Sequence, residues 1–198
     1  MALSSFLNEI ANILTSETPE GFKHSLIVVP GKRSELYLTE ELKSLISSPG
    51  WLPEMTTLGE LKSTIVGDTP LPVTDCVFKL FKEYSSITGL RHDSFESFLK
   101  WGPSILNDFN SVDNYLLDGT QVFSDLQDVQ DIEEWSFRFE ELSVQQKSFS
   151  NFWNIISELY NAYRNAAISN GWYYSGLHSR KASEIIEQKG RINAYEKI

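Results

Sequence analysis

The feature that most constrains the fold is a short apolar run followed directly by a turn and a helical pattern. Residues 26–29 read LIVV, and a continuous run of this kind is typical of a strand that is buried on both faces. Pro30-Gly31 ends the run, and from residue 35 to residue 46 apolar residues recur at the spacing of a helix with one buried face. The sequence therefore predicts a strand, a tight turn and a helix.

A second strand is predicted one helix further along the chain. The segment WLPEMTTLGELKS contains an extended piece around Met55 and Thr56, and it is followed by a helix that Thr57 can cap. Two strands joined by a helical crossover form a parallel pair, because an antiparallel pair needs only a short hairpin. We also predict a helix over about residues 4–16, before the first strand.

From about residue 70 onward the periodicity is helical. Helices are predicted between Thr74 and Gly89, from the capping box Asp93-x-x-Glu96, over 101–116, from Ser143 to Gly171, and over 175–188. We therefore predict a helix-rich α/β fold with a small parallel-stranded portion in residues 1–70 and an all-helical portion in residues 71–198. The last residues, YEKI, carry no stop signal, which fits a piece of a larger protein as well as a natural end.

Composition excludes several classes of protein. The single cysteine, Cys76, is incompatible with a disulfide framework or a cysteine-rich zinc site, and we expect it to be a small buried hydrophobic residue. No apolar stretch approaches the roughly 20 residues needed to span a bilayer. The first residues lack a basic region and indicate an amphipathic helix instead of a secretion signal. We expect a cytoplasmic protein that does not bind membranes.

The net charge of −10 is concentrated in the middle of the chain. Residues 101–143 hold ten carboxylates and one arginine, whereas residues 144–198 carry a small positive excess. The acidic stretch would repel phosphate, so any contact with nucleic acid must be local or must be carried by another part of a larger protein. Its main interpretation is a solvated acidic face, and a docking surface for a basic partner is the alternative. Asp108 and Asp113, within this stretch, are predicted to cap a bend between helices.

The turn at Gly31 does not have the pattern of a nucleotide-binding loop. Such a loop reads G-x-x-x-x-G-K-[ST], whereas here Gly31-Lys32 is followed by Arg33, and Leu26 occupies the first glycine position. The three histidines form no H-x-x-x-H pair, and the acidic segment from Asp108 to Glu141, whose only cation is Arg138, contains no D…(D/E)xK nuclease pattern. We therefore expect no catalytic residue, no cofactor site and no metal site in residues 1–198.

Three blocks of the sequence together resemble one known family. They are SLIVVPGKRSELYLTEELKSL, WLPEMTTLGELKS and WGPSILNDFNSVDNYLLD. The last matches the pattern W-G-x-x-(apolar)-L-x-D-F-x-x-(apolar)-D-x-Y-L at Trp101, Gly102, Leu106, Asp108, Phe109, Asp113, Tyr115 and Leu116. The blocks resemble the amino-terminal, helicase-like region of bacterial PD-(D/E)XK nuclease-superfamily proteins similar to the AddB-type subunit of AddAB helicase–nucleases.

The resemblance implies a fold and a role. The front portion would be an inactive counterpart of superfamily 1 helicase domain 1A, and the rear portion would be similar to domain 1B. The chain would serve as a non-catalytic scaffold in a DNA-repair complex, with a motor helicase subunit as partner and any nuclease chemistry beyond residue 198. The turn would correspond to motif Ia of UvrD-type helicases, so Lys32 and Arg33 would contact the phosphate backbone of DNA.

Arg180 and Lys181 are the other predicted nucleic-acid contacts. They follow the aromatic cluster Trp172-Tyr173-Tyr174 in the most positive part of the chain, and an exposed patch of aromatic and basic side chains favours binding to nucleic acid. For all four cations, solvated surface charge is the competing interpretation. A second function also stays open: a free-standing acidic helical module for protein–protein interaction, unrelated to DNA.

Overall fold

The structure is a computed structural model that describes residues 2–17, 22, 25–46, 50–87, 93–123 and 144–189. Its contacts form two compact units: the first takes in the described residues up to Asp68 and those from Glu184 onward, and the second is Thr69–Ser183. The division after Asp68 lies close to the predicted boundary at residue 70. The grouping of the last helical turns with the first unit differs from the predicted division, which assigned all of 71–198 to the helical portion.

The first unit is built around two short parallel strands. Its described elements are α1 (Ala2–Glu17), β1 (Leu26–Val29), α2 (Lys32–Leu45), β2 (Glu54–Thr57) and α3 (Leu58–Val66). Strands β1 and β2 pair in parallel, with Leu26 opposite Glu54 and Val29 opposite Thr57. The predicted strand–helix–strand unit is therefore confirmed, but the prediction that β1 is buried on both faces is wrong, since Val28 is 36% exposed. Because the strands end side by side, α2 and α3 both begin at the same edge of the sheet.

The core of the first unit lies between α1, α2 and the sheet. The main cluster of buried residues in this core consists of Ala11, Phe22, Val29, Leu38 and Leu42. Leu38 and Leu42 belong to the predicted apolar stripe of α2, and Leu45 and Ile46 pack against this core while partly buried. The period of the α2 sequence thus predicts its buried face, since side chains three and four positions apart share one side of a helix.

The second unit is helical in all its described elements. These are α4 (Val73–Ser86), α5 (Phe95–Phe98), α6 (Gly102–Asn114), a helical segment over 119–123, α7 (Val144–Ser169) and α8 (Ser175–Lys189), which continues past the end of the unit. Its core is rich in aromatic rings: Phe98, Phe109, Tyr163 and Tyr174 are completely buried. Cys76 is buried as expected, at 2% exposure, and its thiol has a pKa raised by burial.

The helix caps follow the predictions only in part. Thr57 caps α3 as predicted, and with Glu60 it forms a complete capping box. The cap predicted at Asp93 is wrong: Ser94 is the N-cap of α5 and accepts a hydrogen bond from the Ser97 amide. The carboxylate of Asp93 has a different partner: it accepts a hydrogen bond from Trp101 Nε1 at 3.1 Å. The signals predicted at Gly89 and Ser143 lie outside the described residues.

Two glycines offer a test of the close packing in the second unit. Gly176, in the first turn of α8, lies against the Asn110 backbone of α6, so an alanine side chain there would overlap that backbone. Gly176→Ala should therefore lower the free energy of unfolding by about 1–3 kcal/mol. Urea unfolding followed by circular dichroism measures this change.

Gly59→Ala is the matched control. Gly59 lies in α3, and no atom lies within 4 Å of the place that an alanine methyl group would take there. Its replacement should therefore be neutral or stabilise by up to about 1 kcal/mol. Equal destabilisation by the two substitutions would contradict the packing described for Gly176.

Candidate functional site

Lys32 and Arg33 lie in the first turn of α2, at the edge of the sheet where β1 and β2 end. Gly31 is the N-cap residue and supplies no side chain to cap the helix. The first amides of α2 therefore keep donor capacity, and the helix dipole favours an anion at this end. In open α/β sheets, ligands bind at the edge formed by the carboxyl ends of the strands. The location is thus suited to contact with a phosphate group.

Lys32 is engaged with two glutamates at this edge. Its Nζ lies 3.0 Å from Glu35 in α2 and 3.0 Å from Glu60 in α3, so it links the first turns of the two helices. The hydrogen bonds that Lys32 donates to Glu60 and Glu35 raise its pKa. The Thr57 amide, Lys32 and the Thr57 hydroxyl together lower the pKa of Glu60 to about 2. Lys32 therefore serves first to neutralise these carboxylates.

Arg33 is the cation at this edge that is left available for a ligand. It is exposed, and within the described part of the chain no carboxylate lies within ion-pair distance of its guanidinium. A guanidinium presents donors in a planar fork that matches two oxygens of a phosphate. Of the two cations predicted here, Arg33 is the one whose surroundings favour a contact with an external phosphate group.

The second predicted pair, Arg180 and Lys181, does not form the exposed patch that the sequence suggested. The side chain of Arg180 is only 14% exposed, and its Nε donates to Asp113 Oδ1 at 2.6 Å. Its Nη2 donates to the carbonyl oxygens of Val112, at 3.3 Å, and Leu117. Lys181 is partly buried. The guanidinium of Arg180 therefore makes its contacts inside the second unit.

The aromatic members of that predicted patch also face inward. Tyr174 is completely buried and stacks on Tyr163, with 5.0 Å between ring centroids. Trp172 is partly buried against Tyr163, and Lys79 lies 4.7 Å from the centre of its ring. These rings serve packing, so they do not form the exposed aromatic part of the predicted patch.

Asp113 is the centre of a buried polar network. Its side chain has no exposure; Oδ1 accepts hydrogen bonds from the Tyr160 hydroxyl at 3.1 Å and from Arg180, and Oδ2 accepts one from the Tyr174 hydroxyl. Arg164 Nε lies 3.7 Å from Oδ1. The bend-capping role predicted for Asp113 is therefore wrong, because its carboxylate binds side chains of other elements. The network ties α6 to α7 and α8.

Both tyrosines of the network are held in the protonated state. Burial and the Asp113 charge raise the pKa of Tyr160 to about 12. The same causes raise the pKa of Tyr174 well above the ordinary range of a phenol. At neutral pH each hydroxyl therefore carries the proton that it donates to Asp113.

Asp113 carried a signal in the sequence that could have identified it. Gly102, Leu106, Phe109 and Asp113 follow one another at spacings of four, three and four, the period of one helix face. The first three are buried, so the carboxylate of Asp113 lies on the buried face of α6. A charged residue on a buried face needs a partner of opposite charge. The sequence does not show which cation that is.

The described part of the chain contains neither a metal-binding cluster nor a membrane-spanning helix. Among the residues that the structure describes, no three His, Cys, Asp or Glu side chains converge in a way that could hold a metal ion. None of the described helices is both long and apolar enough to cross a membrane.

Comparisons with protein-family models, curated proteins and solved structures find no match. The functional assignment therefore rests on the residues themselves.

The network generates a prediction about stability. Asp113→Asn should lower the free energy of unfolding by about 3–5 kcal/mol, because it leaves the largely buried Arg180 without its counter-charge. Asp108 lies within α6 instead of at the predicted bend, and it is exposed, so Asp108→Asn should change the same quantity by less than about 0.5 kcal/mol. Chemical denaturation of the two variants gives both values. A loss at Asp113 no larger than that at Asp108 would show that the network does not hold the helices.

Proposed function

We propose that this chain is a non-catalytic, helicase-like part of a DNA-repair helicase–nuclease subunit, and that it touches the phosphate backbone of DNA through the first turn of α2. The observation that carries the proposal is the placement of Arg33. It is exposed, it has no carboxylate partner among the described residues, and it follows the end of β1 in a parallel strand pair. The three sequence blocks that resemble the AddB-type family support the same role.

The charge distribution favours a local contact of this kind. The chain has a net charge of −10, which repels nucleic acid at a distance. A single guanidinium at a helix N-terminus can still bind a phosphate that another part of a larger protein brings close. In this proposal the unit acts as a cytoplasmic scaffold, a motor helicase subunit is its partner, and the nuclease chemistry lies in another part of the protein.

A second candidate function, a module for protein–protein interaction, is favoured by one surface feature. Tyr115, Leu116 and Leu117 are consecutive and are 77%, 51% and 46% exposed. Leu116 has a φ of 57°, a left-handed conformation that non-glycine residues rarely adopt. Such a turn presents apolar side chains to solvent, and apolar surface of this kind marks docking sites in many proteins. A measurement of DNA binding distinguishes the two functions, because only the first requires a contact with DNA.

The DNA contact is tested by replacing one cation at a time. Arg33→Ala should weaken binding to a short labelled oligothymidylate at low salt, because one phosphate contact is lost. The slope of log affinity against log salt concentration should fall in magnitude by about 1. Fluorescence anisotropy at several salt concentrations measures both quantities on the purified subunit of which this chain is proposed to be a part.

Lys43→Ala is the control for this experiment. Lys43 is an exposed cation in the last turn of the same helix, paired with Glu40 at 3.4 Å, so its removal changes the net charge equally without touching the sheet edge. Its salt slope should equal that of the unchanged protein. Equal effects of the two substitutions, or no binding by the unchanged protein, would overturn the proposed contact and favour the interaction module.

A further inference from the structure

Arg164, in α7, has guanidinium donors that the described structure does not fill. Its side chain is only 30% exposed, and its one ion-pair partner among the described residues is Asp113 Oδ1, at 3.7 Å from Nε. That distance is too long for a hydrogen bond. A carboxylate has about four lone-pair sites, and those of Asp113 already receive Arg180 and two tyrosine hydroxyls. Arg164 is thus a second guanidinium beside a nearly saturated carboxylate.

The Arg164 side chain lines a polar cleft of about 310 Å³ in the second unit. One wall is the chain from Leu116 to Thr120, and the other is the face of α7 that carries Tyr160, Asn161 and Arg164. Gly119 allows this wall to lie close to α7, because a side chain at this position would overlap the Tyr160 ring. The volume is at the lower end for ligand pockets, which run from roughly 300 to 1,000 Å³, so it suits a small molecule.

Asn161 adds a second donor beside Arg164. The two residues are three positions apart and therefore lie on the same side of α7. The Asn161 Oδ1 atom accepts a hydrogen bond from the Thr120 hydroxyl at 3.1 Å, which directs the amide so that its oxygen is used. Its NH₂ group donates to no residue that the structure describes. The cleft therefore holds two adjacent side chains with donors to spare.

Two carboxylates lie at or below the cleft, and both already accept hydrogen bonds. Asp118 Oδ1 accepts hydrogen bonds from the amides of Thr120, at 3.0 Å, and Gln121, at 3.2 Å. Asp113 is fully buried beneath Arg180 and the tyrosines. A ligand that enters the cleft thus meets the unused donors of Arg164 and Asn161, which is the chemistry that recognises an oxyanion, with the exposed carboxylate of Asp118 in the opposite wall.

We propose that this cleft binds the oxyanion group, phosphate or carboxylate, of a small molecule. The guanidinium of Arg164 and the amide of Asn161 hold its oxygens. Arg180 is a positioning residue: its bonds to Asp113 and to the carbonyl oxygen of Leu117 fix the wall that contains residues 116–120. The site belongs to the second unit alone and is independent of the DNA contact proposed for Arg33.

Isothermal titration calorimetry with inorganic phosphate and, separately, with acetate tests the proposal and distinguishes the two oxyanions. Matched sodium chloride additions control for ionic strength. We expect saturable binding of at least one oxyanion to the purified protein. Arg164→Gln should weaken it by about tenfold or more, because it removes a charge-assisted hydrogen bond. Arg164→Lys should bind at an intermediate level, since lysine keeps the charge but lacks the fork.

Lys100→Gln is the matched control, because it removes one exposed cation from the same unit away from the cleft. It should bind the oxyanion as the unchanged protein does. A second measurement needs no destabilising variant: in ¹H–¹⁵N spectra of the unchanged protein, the Arg164 Nε–H and Asn161 amide signals should shift with the added oxyanion. Absence of binding by both oxyanions, equal weakening by Lys100→Gln and Arg164→Gln, or unshifted signals during binding would each overturn the proposal.

Discussion

The carboxylate of Asp113 faces donors from two other helices and from the chain that leads into one of them. Tyr160 and Arg164 belong to α7, Tyr174 directly precedes α8, and Arg180 lies within α8. An unpaired buried carboxylate is strongly unfavourable, so α6 is stable in this position only when these partners are in place. A buried ion pair need not add net stability compared with an apolar core. Its effect here is to fix which faces of the three helices meet.

This constraint also shapes the surface that carries the proposed oxyanion site. Arg180 reaches past Asp113 to the carbonyl oxygen of Leu117, so the same guanidinium that neutralises the buried charge holds the turn that leads to Gly119. Arg164 is left beside a carboxylate that already accepts three hydrogen bonds, and its side chain lines the cleft. The unused donors of the second unit are therefore a consequence of how its core charge is balanced.

The first unit shows the same logic at its sheet edge. Parallel pairing of β1 and β2 brings the starts of α2 and α3 together, and Lys32 binds Glu35 and Glu60 across that gap. The lysine that the family resemblance would place on DNA is thus committed to its neighbours. Arg33, one position later, is left exposed at a helix N-terminus, and this difference between adjacent cations is visible only once the two helices are seen together.

Features that depend on local sequence could be predicted, and those that depend on distant partners could not. The two strands, the stripe of α2 and the Thr57 cap each follow from residues within a few positions of one another, and the parallel pairing of the strands follows from the helix between them. The partners of Asp113 lie 47, 61 and 67 positions along the chain, so no local pattern identifies them. Arg180 was predicted to be exposed because its neighbours are aromatic and basic, whereas its position is decided by that distant charge.

A double-mutant cycle of Asp113→Leu and Arg180→Met, measured by chemical unfolding, tests the role of this pair most directly. Asp113→Leu removes the counter-charge of Arg180, and Arg180→Met leaves the buried Asp113 carboxylate with the more distant Arg164, at 3.7 Å, as its cation among the described residues. The double variant should therefore lose about 1–3 kcal/mol less than the sum of the two single losses. Losses that add within about 0.5 kcal/mol would contradict the account.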